Sequence, residues 1–147
     1  SWLKDGSDSV CDLSEFLVHN HMVDKLSQAK GFGPIRLAYQ DPCHLLHGQK
    51  ISRQPRELLS AIKGVELVEV RDSEICCGSG GLYSLFQTSR AVALRDRKWL
   101  TLMESGCEAV VTANPGCQGW LGLTESEVPV WHLASVLEGA FAGKRPR

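Results

Sequence analysis

The 147-residue sequence has little net charge, few aromatic residues and no long apolar segment. Its net charge is −1 and its aromatic content is 7%. A nearly neutral chain has no electrostatic reason to bind nucleic acid or an anionic membrane surface, so we expect neither partner. No apolar run approaches the length of about 20 residues that a membrane span needs, so we also expect no spanning helix.

The amino-terminal segment lacks the features of a secretion signal. Residues 1–10, SWLKDGSDSV, have neither the basic start nor the apolar centre of a signal peptide, which favours a cytoplasmic protein. The chain also begins without Met and in the middle of a pattern. We therefore expect it to be part of a longer subunit, and we interpret the basic residues Lys144, Arg145 and Arg147 as a frayed terminus.

Cysteine is the residue that the chain has in excess. Four of its six cysteines occur in turn-like segments rich in Gly and Pro, namely Cys43, Cys76, Cys77 and Cys117. Without a secretion signal, metal or redox chemistry explains them better than structural disulfides do. The adjacent Cys76 and Cys77 have Cα atoms about 3.8 Å apart, too close for an unstrained disulfide. Cys11 and Cys107 are expected to be ordinary surface or core thiols.

The apolar periodicity predicts a helix followed by four strand–helix repeats. A capping box at Asp12–Glu15 starts a helix that is expected to run to about residues 25–28. The predicted strands cover residues 35–40, 65–70, 109–113 and 129–133. The predicted helices cover residues 55–64, 83–105 with a break near 88–89, 118–123, and a last segment that ends near residue 141.

Strands that alternate with helices predict an α/β fold: a three-layer, Rossmann-like arrangement with a mainly parallel four-stranded sheet flanked by helices. We expect one domain over residues 1–147, with an N-terminal helix and linker at 1–33 and a core at 35–141. Parallel strands end along one edge, where ligands bind. Cys43 follows the first strand, Cys76 and Cys77 the second, and Cys117 the third. The four thiols are therefore predicted to meet at this edge.

Converging thiols favour metal chemistry, since zinc and iron–sulfur clusters both take thiolate ligands. The glycines Gly78, Gly80 and Gly81 would let backbone N–H groups approach the sulfides of a cluster. Adjacent cysteines suit two irons of one cluster better than a single zinc ion, for which two or more intervening residues are usual.

Simpler interpretations stay open at this point. The adjacent cysteines would also fit a core as small apolar side chains. His44 and His47 either bind a metal or orient a ligand, or they are polar turn residues, and the last interpretation is favoured. His132 is expected to be a hydrogen-bonded residue at the end of the fourth strand. A cysteine nucleophile with His44 as base is a weaker hypothesis. So is a phosphate loop, because the glycine run matches neither GxGxxG nor GxxxxGK(S/T).

Three motifs together resemble the cysteine-rich "CCG" domain: Asp41-Pro-Cys-His44, Cys76-Cys-Gly78 and Asn114-Pro-Gly-Cys117. That domain occurs in iron–sulfur subunits of glycolate oxidase, in lactate-utilisation and anaerobic glycerol-3-phosphate dehydrogenase iron–sulfur proteins, and in a subunit of heterodisulfide reductase. The spacing is similar too, with 32 residues between the first two motif cysteines and 36 between Cys77 and Asn114. The resemblance covers about residues 35–137 and is closest to the glycolate oxidase subunit.

The resemblance implies an iron–sulfur electron-transfer domain of a flavin-dependent 2-hydroxy-acid dehydrogenase, with no catalytic residue of its own. The metal ligands it implies are Cys43, Cys76, Cys77 and Cys117, in loops shaped for the cofactor by Gly78, Gly80, Gly81, Asn114 and Gly116. The family pattern ends in Cys-x-x-Cys, whereas Asn114 replaces the first of those cysteines here. Four thiolates still suffice by count for a 4Fe–4S cluster.

The partner implied by the resemblance is a flavin-containing dehydrogenase subunit of the same complex. The complex is expected in the cytoplasm, with peripheral association at the inner membrane face. Two other classes of function remain as alternatives: a zinc-bearing or metal-free domain for subunit interaction, and a thiol–disulfide redox module.

Overall fold

The computed structural model describes residues 10–146, in which four strands alternate with helices. Residues 1–9 of the predicted N-terminal segment and Arg147 of the basic tail lie outside the described residues. The elements are α1 (Leu13–His19), α2 (Met22–Gln28), β1 (Ile35–Gln40), a π-helical turn (His44–Gln49), α3 (Arg53–Ser60), β2 (Val65–Val68), α4 (Tyr83–Phe86), α5 (Thr88–Glu104), β3 (Ala109–Thr112), α6 (Pro115–Leu121), β4 (Val130–His132) and α7 (Leu133–Ala142).

The four strands form one parallel sheet in the order β2-β1-β3-β4. Leu37 in the central strand β1 pairs with Leu67 of β2 on one side and with Ala109 of β3 on the other. Strand β4 completes the sheet, with Trp131 beside Val111. The prediction of a four-stranded parallel α/β fold is confirmed.

Helices cover both faces of the sheet, which gives the three layers predicted from the sequence. On the first face, Leu37 and Tyr39 pack in a core with residues of α2, α3 and α7. On the second face, Ala38 and Val110 pack with Leu102 of α5 and with residues of α6. Because successive side chains of a strand point to opposite faces, the central strands are buried on both sides.

The connections that follow β1 and β3 lead to opposite edges of the sheet. After β1 the chain passes over the first face to the neighbouring β2, and after β3 it passes over the second face to the neighbouring β4. The two connections therefore separate at the C-terminal ends of β1 and β3. Such a switch point leaves a crevice at the edge of the sheet, and it is where ligands bind in open parallel sheets.

Two helices differ from their predicted extent because of local backbone chemistry. The first predicted helix is two helices, separated where His21 adopts a left-handed conformation with φ 57° and the Asn20 side chain donates to Phe16 O. Helix α6 begins three residues earlier than predicted, because Asn114 caps it and Pro115 occupies its first position. The π-helical turn after Cys43 was not predicted at all.

Other boundaries follow the sequence more closely. The capping box that begins α1 is present, since the Asp12 side chain accepts from Ser14 N and Glu15 accepts from Asp12 N. The predicted break near residue 88 falls at Gln87, between α4 and α5. Strand β2 ends at Val68, two residues earlier than expected.

Within residues 10–146, no helix combines the length and the apolar character that crossing a membrane would require.

A buried ion pair fixes the segment that leaves β1. Asp41, which is 2% exposed, accepts two hydrogen bonds of 2.7 and 2.6 Å from the Arg56 guanidinium in α3. Arg56 also donates to Ser52 O and lies over the Tyr39 ring. The hydrogen bonds to Asp41 raise the pKa of Arg56, so the guanidinium remains protonated. The end of β1 is thereby fastened to the helix that follows it.

We predict that Arg56→Met destabilises the protein by about 3 kcal/mol, because it leaves the Asp41 carboxylate buried without its partner. Arg53→Met is the matched control on the same helix. Its ion pair with Glu57 is exposed, so its loss is expected to cost less than about 1 kcal/mol. Urea unfolding of both variants measures the difference, and equal effects would contradict a structural role for the buried pair.

Candidate functional site

The structure gathers the four predicted cysteines at the C-terminal edge of the sheet, beside the switch point. Cys43 follows β1 by three residues, Cys76 and Cys77 lie in the loop between β2 and α4, and Cys117 lies in the first turn of α6. The Sγ atoms of Cys43 and Cys76 are 3.9 Å apart, and those of Cys77 and Cys117 are 3.2 Å apart. All four are free thiols.

The thiols form two pairs that differ in burial. Cys77 and Cys117, the inner pair, are 1% and 5% exposed and belong to the core on the second face of the sheet. Cys43 and Cys76, the outer pair, are half-buried. Because Cys76 and Cys77 are adjacent but take different partners, three separate loops are tied together by sulfur contacts.

Mutual contact and burial raise the pKa of Cys43, Cys76 and Cys77, which favours their protonated forms. Hydrogen bonding to Cys117, followed by burial, raises the pKa of Cys77 to about 11. The pKa of Cys76 is raised further, first by its hydrogen bond with Cys77 and then by burial. Burial, followed by the nearby Cys76, also raises the pKa of Cys43. Binding of a metal as thiolate would therefore release protons.

The sulfur contacts described above are pairwise, between Cys43 and Cys76 and between Cys77 and Cys117. Among residues 10–146, no three His, Cys, Asp or Glu side chains converge closely enough to hold one metal ion. This pairing is possible because the adjacent Cys76 and Cys77 each reach a different neighbouring loop.

The glycine after the cysteine pair is required by close packing. Gly78 has φ +87°, and a Cβ atom there would lie 2.5 Å from the Ala91 carbonyl oxygen in α5. Its N–H group donates to Cys76 Sγ at 3.3 Å. Gly80 and Gly81 also have positive φ, but they lie in the exposed turn before α4.

Both polar atoms of the Asn114 side chain have partners within the protein. Its Oδ1 accepts from Gly116 N at 2.6 Å and from Cys117 N at 3.2 Å, which caps α6 and orients the residue that carries the thiol. Its Nδ2 lies 3.2 Å from His44 Nδ1. A Cβ atom on Gly116 would lie 3.3 Å from Ser79 Oγ, so the Cys77 and Cys117 loops touch here.

The remaining candidates have local roles in the structure. His47 Nε2 lies 3.3 Å from Glu74 O, and His132 Nδ1 accepts from Ala134 N at the start of α7. Cys11 is exposed. Cys107 is buried in the core of the second face, and its thiol contacts Leu102 O. Both cysteines are placed as the surface and core thiols expected from the sequence.

Sequence reasoning missed Lys98, which is 1% exposed and donates to Asp72 O and Ser73 O at 3.1 and 2.9 Å. These carbonyls belong to the loop that leads to Cys76. The segment RDRKWL resembles a solvated helix surface. The available signal was helical spacing, because Lys98 lies seven residues after the buried Ala91 and four before the buried Leu102.

We predict that Gly78→Ala destabilises the protein by about 3 kcal/mol, since it combines an unfavourable φ with a clash against helix α5. Gly81→Ala has a positive φ but no neighbour within 4 Å, so it should cost only about 1 kcal/mol. Urea unfolding compares the two. A loss in Gly78→Ala no larger than in Gly81→Ala would show that the contact with Ala91 is unimportant.

We predict that mild oxidation of the metal-free protein with diamide forms Cys77–Cys117 and Cys43–Cys76 disulfides, because these are the close sulfur pairs. Peptide mass spectrometry identifies the bonds. In Cys117→Ser, Cys77 should remain a free thiol. A dominant Cys76–Cys77 bond, or a Cys43–Cys117 bond, would contradict the observed pairing.

Comparisons with known proteins match the segment that carries this site. The family model described as "Cysteine-rich domain" (CCG) matches residues 37–122, from the middle of β1 to just after α6. This segment contains all four cysteines of the two pairs.

Three curated relatives have similar sequences. The probable glycolate oxidase iron-sulfur subunit of Bacillus subtilis is 36% identical over 76% of this chain and 26% of its own length. A fumarate reductase (CoM/CoB) subunit of Methanothermobacter marburgensis is 38% identical over 91% of this chain and 28% of its own length. The glycolate oxidase iron-sulfur subunit of Escherichia coli is 35% identical over 93% of this chain and 33% of its own length.

The chain therefore spans only about a quarter to a third of the length of these relatives. The family model covers more than half of the chain, and the residues it matches include every motif on which the resemblance was based. The chain belongs to the cysteine-rich CCG domain family.

Proposed function

We propose that the chain is the electron-transfer domain of a flavin-dependent 2-hydroxy-acid dehydrogenase of the glycolate oxidase type. In this proposal Cys43, Cys76, Cys77 and Cys117 hold an iron–sulfur cluster. The observation that carries the proposal is the meeting of four free thiols from three separate loops at one edge of the sheet. The names of two relatives described above support it, since one is a glycolate oxidase iron-sulfur subunit and the other a probable one.

The donor set fits such a group. Thiolate sulfur is the usual ligand of iron–sulfur clusters, and four cysteines match the number that a 4Fe–4S cluster takes. The cluster, when bound, supplies one-electron transfer. The raised pKa values of Cys76 and Cys77 keep these thiols protonated in the metal-free protein. Binding of the cluster would release these protons. The N–H group of Gly78, which donates to Cys76 Sγ, would stabilise negative charge on that sulfur.

The glycine and asparagine residues predicted to bind the cofactor would act by shaping loops. Gly78 lets the Cys76–Cys77 loop lie against α5, and Asn114 and Gly116 fix the turn that presents Cys117. Gly80 and Gly81 form the exposed turn after the cysteine pair. These residues would position sulfur atoms without coordinating iron.

The rest of the complex is inferred from the relatives. A flavin-containing dehydrogenase subunit would oxidise the hydroxy acid and pass electrons to this domain, which would have no catalytic residue of its own. As part of this proposal, the complex would lie in the cytoplasm, with peripheral contact at the inner membrane face. The partner subunit is supported by the names of the glycolate oxidase relatives, of which this chain covers about a third or less.

A thiol–disulfide redox module is the second candidate, favoured by the 3.2 Å separation of the Cys77 and Cys117 sulfur atoms. A zinc-bearing interaction domain is a third class. Metal analysis of protein purified without oxygen separates them. Iron with sulfide supports the cluster, equimolar zinc without sulfide supports the interaction domain, and metal-free protein with reversible disulfides supports the redox module.

We predict that anaerobic reconstitution gives a protein with about four irons and four sulfides per chain and a broad visible absorbance. Cys76→Ser and Cys77→Ser should lose most of both, because each removes a sulfur ligand. Cys11→Ser, a change of the exposed cysteine away from the site, is the matched control and should load like the wild type. Folded wild-type protein that takes up no iron would refute the proposal.

A further inference from the structure

Lys98 is a buried cation for which the proposed function has not yet given a role. Its side chain is 1% exposed and is the bulkiest among the fully buried side chains of the described residues. Two of the three N–H bonds of its ammonium group point to Asp72 O and Ser73 O. Within residues 10–146, Lys98 has no carboxylate oxygen within 4.0 Å.

Such a burial is costly and calls for compensation. Removing an ammonium group from water is unfavourable unless charge or hydrogen bonds replace its hydration. Burial lowers the pKa of Lys98, while the charges of Asp41 and Glu74 oppose that effect, and Cys77 would oppose it as well once ionised. The compensation seen for Lys98 is therefore two carbonyl oxygens and the more distant carboxylates of Asp41 and Glu74.

Lys98 belongs to a two-point attachment of the cysteine loop. The loop between β2 and α4 is fastened before Cys76 by the bonds from Lys98 to Asp72 and Ser73. After Cys77 the loop packs against the same helix, where a Cβ atom on Gly78 would lie 2.5 Å from Ala91 O. Ala91 and Lys98 are seven residues apart, which puts them on the same face of α5, two turns from each other. Helix α5 therefore contacts the loop on both sides of the cysteine pair.

We propose that Lys98 is the positioning residue of the Cys76–Cys77 loop and the buried positive charge that compensates the thiolates when a cluster binds. The second half rests on the proposed function. Four thiolates add negative charge to a poorly hydrated region, and a nearby buried cation favours the more negative, reduced form of the group that they hold. Lys98 thereby raises the reduction potential of the bound cluster.

Three variants separate the two roles. Lys98→Met removes both the N–H donors and the charge, Lys98→Gln keeps N–H donors without a charge, and Lys98→Arg keeps both. Each variant is studied first as metal-free protein and then after anaerobic loading with iron and sulfide.

Hydrogen exchange in the metal-free proteins tests the positioning role. Amides of residues 72–78 should exchange at least about tenfold faster in Lys98→Met than in the wild type, because two charge-assisted hydrogen bonds are lost. Exchange in the strands should stay unchanged. Lys98→Arg should restore slow exchange in the loop. If these amides exchange in Lys98→Met at the wild-type rate, the positioning role is wrong.

The reduction potential of the loaded proteins tests the charge role. Lys98→Gln should shift the one-electron equilibrium about tenfold towards the oxidised form, which corresponds to a potential lower by about 59 mV. Lys98→Arg should keep the wild-type value. An unchanged potential in iron-loaded Lys98→Gln would overturn the charge role. Wild-type protein that binds no iron would instead refute the proposed function and the charge role together, and the exchange experiment would still decide whether Lys98 positions the loop.

Discussion

The pairing of β1 with β3 is the constraint on which the candidate site depends. Their last residues, Gln40 and Thr112, lie side by side and are joined by a buried hydrogen bond between the side chains. Gln40 also donates to Asp41 O, which ties the strand end to the start of the next segment. The loops that carry Cys43 and Cys117 leave the sheet from these two residues. A register shift of one residue would reverse the faces of β1 and separate these loops.

Beyond the strands, each cysteine loop has its own polar attachment to a helix. The Arg56–Asp41 ion pair holds the loop of Cys43, Lys98 holds the loop of Cys76 and Cys77, and Asn114 caps the helix that carries Cys117. Buried polar contacts of this kind stabilise a fold less than apolar packing does, but they specify geometry. The sulfur atoms are consequently placed by the protein before any ligand arrives.

Much of this arrangement could be predicted from the sequence because its signals are local. Alternation of strands and helices indicates a parallel sheet, and cysteines that follow successive strands must then share an edge. The division of the thiols into two pairs could not be predicted, since it depends on how three loops pack together. Lys98 was missed because a charged residue in a helix is usually solvated, and its burial follows from the carbonyls of a distant loop. The left-handed His21 likewise carries no strong sequence signal.

The unequal burial of the two thiol pairs gives the site a direction. Cys77 and Cys117 are buried in the core of the second face, whereas Cys43 and Cys76 are half-buried and reach the solvent. An oxidant or a chelator from solution would therefore reach the outer sulfur atoms first. An electron exchanged with a neighbouring carrier would pass by the same side. The same exposure that would make the centre useful to a neighbouring carrier would also make it the first point of attack by air.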